Sequence, residues 1–94
     1  MSYILVKHNV GEFGKWKTFY DKHLGTRKAG GSKGARVFRN TNNPNEAILL
    51  FEWNTLENAQ KFAQSDDLRQ RMQEAGVTGK PDIYFLDEVE HTSA

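Results

Sequence analysis

The sequence predicts an α+β fold, a ferredoxin-like βαββαβ plait with a four-stranded antiparallel sheet and helices on one face. Three observations carry this. The hydrophobic period switches between two and three-to-four in the order strand, helix, two strands, helix pair, strand. The 94 residues fit one domain, with a core at about 3–89 and a flexible polar tail at 90–94. Two of the strands are apolar on both parities, so the sheet has two faces to cover.

The first strand is Tyr3 to Val10, a β-branched run bounded by Gly11. From Glu12 the period changes, with Phe13, Trp16, Phe19, Tyr20 and Leu24 on one helical stripe and Gly25 as C-cap. Gly25 to Gly34 reads as a flexible basic loop. Ala35–Thr41 and Glu46–Trp53 form a hairpin across the turn residues Asn42 to Asn45, with Pro44 barred from a central ladder. Asn54 and Glu57 have capping-box spacing before a stripe of Leu56, Ala59, Phe62 and Ala63. Ser65 restarts the pattern, Asp66 and Asp67 suit a positive helix start, and Leu68, Met72 and Ala75 lead to Gly76. Gly79, Lys80 and Pro81 form a loop before the last strand, Ile83 to Val89.

Composition narrows the chemistry. With no cysteine, disulfides, thiol nucleophiles and Cys-ligated zinc or iron–sulfur clusters are excluded, which suits a reducing compartment. The start, Met1 to Val6, lacks a basic segment followed by a long apolar core, so no signal peptide is expected. No apolar window is long enough to span a bilayer, and a cytoplasmic protein without membrane association is the expectation. Residues 1–40 carry nine Lys/Arg against Glu12 and Asp21, a net +7, whereas residues 41–94 net −6. Folded together, such halves favour complementary surfaces within or between subunits over nucleic-acid binding.

Nucleic-acid and metal motifs fail on context. Gly31-Ser32-Lys33-Gly34 has the GXXG form of KH domains, but a strand follows where a helix is required. The Glu46–Trp53 strand lacks the glycines and basic start of an RRM, and no P-loop spacing occurs. The three His are scattered, so no metal site is expected.

One strand parity carries Ile4, Val6, His8 and Val10 with Ala47, Leu49, Phe51 and Trp53. The other carries Tyr3 and Leu5 with Ile48 and Leu50, and by count Val37, Ile83 and Phe85. Several large side chains at about 1.5–3 kcal/mol each are too much to leave wet on so small a domain, so a homodimer packed sheet to sheet is expected. A β-bulge would invert the parity, so counting alone does not say which one faces the helices. Residue type favours the His8/Trp53 parity, which with Trp16, Phe19, Tyr20 and His23 would wall an aromatic small-molecule pocket. Tyr3, Leu5, Ile48 and Leu50 would then line the dimer interface.

The chain resembles the dimeric α+β barrels of the antibiotic-biosynthesis-monooxygenase-like (ABM-like) superfamily. The resemblance rests on the element order over 3–89, the passage Val10-Gly11-Glu12-Phe13-Gly14-Lys15-Trp16, and the run from Phe51-Glu52-Trp53-Asn54 to Phe62-Ala63-Gln64-Ser65. It implies a pocket between sheet and helices and a choice among cofactor-independent oxygenases of aromatic polyketides, haem-degrading enzymes, isomerases, cyclases and proteins without assigned activity. Residues 55–75 contain no His, which departs from the haem-degrading members. No catalytic set carries over residue by residue.

The candidate residues therefore come from the chain itself. His8 could be a general base, its ordinary pKa lying near neutrality, or a buried structural histidine. His23 fits the C-terminal helix dipole. Trp16, Phe19, Tyr20, Phe51 and Trp53 could stack on a flat ligand, with a helical core stripe as the simpler reading of the first three. Arg36 and Arg39 lie on opposite faces of an edge strand, so at most one points into a cavity. The reading is a homodimer that binds a small aromatic or polyketide-like molecule, working as a monooxygenase or cyclase with no cofactor and no metal. The alternative is a non-catalytic structural or ligand-sensing dimer.

Overall fold

The chain folds with its strands in the predicted places along the sequence and one helix more than its hydrophobic periods predict. A computed structural model describes residues 2–93; Met1 and Ala94, the outer ends of the expected domain and tail, lie outside the described residues. The elements are β1 (Ser2–Val10), α1 (Phe13–Lys22), α2 (Leu24–Gly30), β2 (Ser32–Asn40), β3 (Asn43–Trp53), α3 (Leu56–Gln64), α4 (Asp66–Glu74) and β4 (Val77–Leu86). The strands form one sheet in the order β2-β3-β1-β4, antiparallel throughout, which makes the ferredoxin-like plait.

Parity on the two central strands decides the core. Ile4 pairs with Phe51, Val6 with Leu49 and His8 with Ala47, so these side chains share a face. All six are buried, together with Val10 and Trp53. Trp16 of α1, Ala59 of α3 and Ala75 after α4 close over them, with Phe13, Phe19, Tyr20, Phe62 and Met72 packed at the margin. The His8/Trp53 parity therefore faces the helices, as residue type suggested.

The edge strands correct the count. Val37 lies opposite Leu49, Ile83 opposite Val6 and Phe85 opposite Ile4, so all three are on the helix side. In their place the outer face carries Phe38 opposite Ile48, Tyr84 opposite Leu5 and Leu86 opposite Tyr3. Alternation within a strand says only which residues share a face; which face that is comes from the cross-strand pairing, which counting along the chain does not give. Along β2, Lys33 is an extra residue between Ser32 and Gly34, and along β4, Gly79, Lys80 and Pro81 face only His8.

The predicted loop at Gly25–Gly34 is instead α2 followed by the start of β2. His23 ends α1 with φ −107° and ψ 17°, and the chain restarts at once as a second helix. Gly25 and Gly30 weaken helix propensity, which is why the segment reads as loop. Tertiary anchors override that weakness. The Trp53 indole Nε1 donates to the Gly30 carbonyl at 3.2 Å, and the Asn54 amide to the Gly31 carbonyl at 3.0 Å. Gly31 is left-handed at φ 118°, and a Cβ there would come within 2.5 Å of Asn54 Oδ1.

Smaller differences have similar local causes. Thr55, not Asn54, caps α3 by accepting from the Asn58 amide at 3.1 Å, while Asn54 Oδ1 accepts from the Thr55 amide. Ser65, where the helical pattern restarts, caps α4 by accepting from the Leu68 amide. Pro44 and Pro81 sit in register irregularities, so β3 and β4 begin earlier than the turn residues suggest. Residues 87–93 have no regular structure, though the Tyr3 hydroxyl donates to Glu88 at 3.4 Å.

Gly31→Ala should cost about 1–3 kcal/mol in chemical denaturation, because it meets both a positive φ and the Asn54 side chain. Gly25→Ala, with nothing within 4 Å of the added carbon, should instead raise stability by about 0.4–1 kcal/mol. Equal effects at the two sites would mean that the Gly31 turn does not constrain the chain.

Candidate functional site

Between the sheet and the helices lies a cavity of about 530 Å³. Its floor is the buried row Ile4, Val6 and His8 of β1 with Leu49 and Phe51 of β3. One wall is α1 and α2, presenting Trp16, Phe19, Tyr20, His23 and Arg27. The other is α3 and α4, presenting Asn58, Lys61, Phe62, Arg71 and Met72. A helical stripe with four aromatic or histidine side chains leaves flat surfaces that do not interlock fully, and the space between them is the cavity.

The aromatic groups form a continuous ledge. Trp16 and Tyr20, one helical turn apart, stack with centroids 5.3 Å apart and planes inclined by 26°. Phe51 lies 6.4 Å from Tyr20 and meets Phe62 edge-on at 5.9 Å. Edge-to-face and offset contacts of this kind stabilise by about 0.5–1.5 kcal/mol each beyond area burial.

His8 stands at one end of this ledge, its ring edge-on to Trp16 at 5.5 Å. The residue is buried, and neither Nδ1 nor Nε2 has a hydrogen-bond partner. Each unpaired buried ring nitrogen costs about 1–3 kcal/mol, a polar deficit that the folded chain itself leaves open. Burial also pulls the pKa of His8 down to about 4. The imidazole is therefore neutral near pH 7, with one nitrogen a donor and the other an acceptor. The β4 bulge at Gly79–Pro81 lies directly beside it.

At the other end Arg27 is 7% exposed and lays its guanidinium over the Tyr20 ring at 3.8 Å. Its Nη1 donates to the Tyr20 carbonyl at 2.9 Å. Burial lowers the guanidinium pKa and raises that of the Tyr20 phenol, the latter against the pull of Arg27 and Lys17. An arginine nonetheless stays charged in such a site. His23 Nδ1 donates to the Phe19 carbonyl at 2.8 Å, satisfying the end of α1 as its position suggested.

The structure thus brings His8, Trp16, Phe19, Tyr20 and Phe51 onto one cavity. Trp53 does not line it. Fully buried, it packs against Phe62 at 4.5 Å and bonds Gly30, tying α2 to β3. Arg39 lies on the helix side of β2, with its guanidinium 5.1 Å from the Phe13 ring, and does not reach the cavity. Arg36, opposite Leu50, is on the outer face. Among the described residues no group of three or more His, Asp or Glu could hold a metal ion, and no helix is long and apolar enough to cross a membrane.

No protein-family model matches the sequence, and no curated protein does. Solved structures do match in fold. A protein from Bordetella bronchiseptica provisionally named an antibiotic biosynthesis monooxygenase superposes with a TM-score of 0.78 at 16% identity, over 95% of this chain and 97% of that one. SnoaB, a cofactor-independent oxygenase from Streptomyces nogalater, gives 0.78 at 7% identity, over 99% and 97%. Another antibiotic biosynthesis monooxygenase gives 0.72 at 9% identity, over 96% and 100%. The fold is ABM-like.

Within this ABM-like frame, sequence reasoning missed Arg27 and underused Phe62. Arg27 lies in a segment whose glycines read as loop, where its charge counts only toward the basic half of the chain. A signal was available for Phe62, which follows Leu56 and Ala59 at helical spacing on a face that must meet the sheet.

The lowered pKa of His8 has a signed consequence. Between about pH 6.5 and about pH 4 the unfolded chain takes up a proton that the folded chain refuses, so stability falls as pH falls through this window. The loss should approach about 3 kcal/mol near pH 4. His8→Leu should abolish this component in urea denaturation across the window. NMR titration should show His8 neutral at pH 5, and a midpoint near 6.5 would contradict its burial.

Proposed function

We propose that the protein is a homodimer whose protomers each bind a flat, mostly apolar aromatic molecule between sheet and helices, and that it acts there as a cofactor-independent oxygenase or cyclase. The carrying observation is the aromatic-walled cavity of about 530 Å³ with the unpaired His8 imidazole at its floor. A concave site lined by aromatic side chains together with a smaller number of polar ones suits a planar ligand. The oxygenase reading rests further on the likeness in fold to SnoaB, which is a fold-level analogy.

The chemistry needs no electrons from outside. Oxidising a substrate CH2 to C=O releases four electrons, and dioxygen consumes four when one oxygen enters the product and the other leaves as water. His8 would accept the proton that frees the substrate carbanion or enolate. Against an acid of pKa about 10, a base with a pKa of about 4 faces about 6 units, or about 8 kcal/mol. Attraction between imidazolium and enolate in a water-poor cavity offsets part of this, leaving a step within enzymatic range. The same weak basicity favours a second reading, in which His8 only hydrogen-bonds a ligand that the dimer senses.

The outer sheet face supports the dimer. Phe38, Tyr84 and Leu86 are 49%, 54% and 39% exposed, around the half-buried Leu5, Ile48 and Leu50. A patch of this kind is matched by its own copy across a two-fold axis.

Light scattering during size-exclusion chromatography should give about twice the 10.8 kDa chain mass, and Leu50→Lys should return it toward the single mass. A native monomer at every concentration would remove the dimer. For the activity, dioxygen uptake is measured with an anthrone or naphthol and no added cofactor. His8→Ala should lower the rate by about 100-fold or more with ligand affinity retained. Binding without turnover in the native protein would leave the sensing reading.

A further inference from the structure

Three cations line the cavity, and their pairing runs against their burial. Lys61 and Arg71, the more exposed two, have carboxylate partners: Glu57 at 3.4 Å and Asp67 at 2.7 Å. Arg27, 7% exposed, has no carboxylate within 4.0 Å among the described residues. Asp21, whose field reaches it, is held by Lys17 at 2.6 Å. A carboxylate gains most beside a desolvated guanidinium, so a folded chain that pairs its exposed cations and leaves the buried one with a ring face and a single carbonyl has kept a position open.

We propose that this cavity takes an aromatic carboxylate, with Arg27 as the anchor of its carboxylate group. The proposal rests on the ligand-pocket reading above and adds the charge and orientation of the occupant. The planar guanidinium presents a fork that matches a carboxylate, and its stacking on Tyr20 fixes the plane of that fork. From there the stacked Tyr20 and Trp16 rings lead to His8 at the far end of the ledge. A ligand of two or three fused rings would lie along them, its charged end at Arg27 and its neutral, reacting end at His8. The two ends differ in kind: the cation selects an anion, whereas the neutral imidazole offers one donor and one acceptor. That asymmetry sets which way round the ligand lies.

Isothermal titration with 2-naphthoate and 2-naphthamide, alike in shape and different in charge, tests the assignment. The native protein should bind the carboxylate more tightly by about tenfold or more. Arg27→Met, which keeps the apolar stem, should remove that preference while binding the amide about as well as before. Equal binding of the two probes by the native protein, or a preference that survives in Arg27→Met, overturns the anchor and leaves the pocket standing. Binding of neither overturns both. Should the variant not fold, the Arg27 Nε–H resonance of the native protein gives the answer: it should move with 2-naphthoate and stay with 2-naphthamide, and an unmoved resonance in both overturns the proposal.

Discussion

The register between β1 and β3 governs everything on the helix side of the sheet. With Ile4 across from Phe51 and His8 across from Ala47, each strand turns its alternate side chains beneath the helices. A slip of one residue would turn one of the two strands over: with β1 turned, His8 goes to the outer face and Lys7 enters the core, and with β3 turned, Phe51 and Trp53 go out and Glu52 enters. A charged group buried without a partner costs several kcal/mol, a large part of what a small domain has. The alternation therefore acts as a strong selector, and the position of His8 follows from it.

Given that floor, the helices decide whether the interior is solid or hollow. The α1 stripe meets the sheet with broad aromatic surfaces, which touch through edges and offsets and leave space between them. The break at His23 then turns the chain so that α2 runs on as a separate short helix whose end is tied to Trp53 and Asn54. This closure carries Arg27 over the ring of Tyr20. An uninterrupted helix would carry that residue onward along the α1 axis, so the break is as important to the site as any group in it.

Much of this is legible in the sequence because β1 and β3 carry strongly apolar runs between turn residues, and because Trp16, Phe19 and Tyr20 recur at helical spacing. The order of elements and the division of each strand into two sets of side chains follow from those residues, whereas the helix-facing set is chosen by residue type. What the pattern does not carry is register at the edges: Val37, Ile83 and Phe85 lie opposite Leu49, Val6 and Ile4, a pairing that alternation within β2 and β4 does not fix. Nor does it carry α2, whose glycines argue locally for loop while Trp53, distant in sequence, holds it helical. Trp53 itself shows the limit of reasoning from residue type, since a tryptophan suited to stacking on a ligand is spent on an internal hydrogen bond.

The irregular stretch Gly79–Pro81 has one more effect, on how copies of the chain meet. An open four-stranded sheet has two free edges, and an uninterrupted edge invites another strand to add to it. On β4 three residues bow out opposite a single one, and Pro81 has no amide hydrogen to offer. On the opposite edge, β2 is bulged near both ends and carries Lys33 and Arg39. Lateral growth into ribbons is thus discouraged on both sides, which leaves the broad surface of the sheet, not its rims, as the place where the proposed dimer would meet.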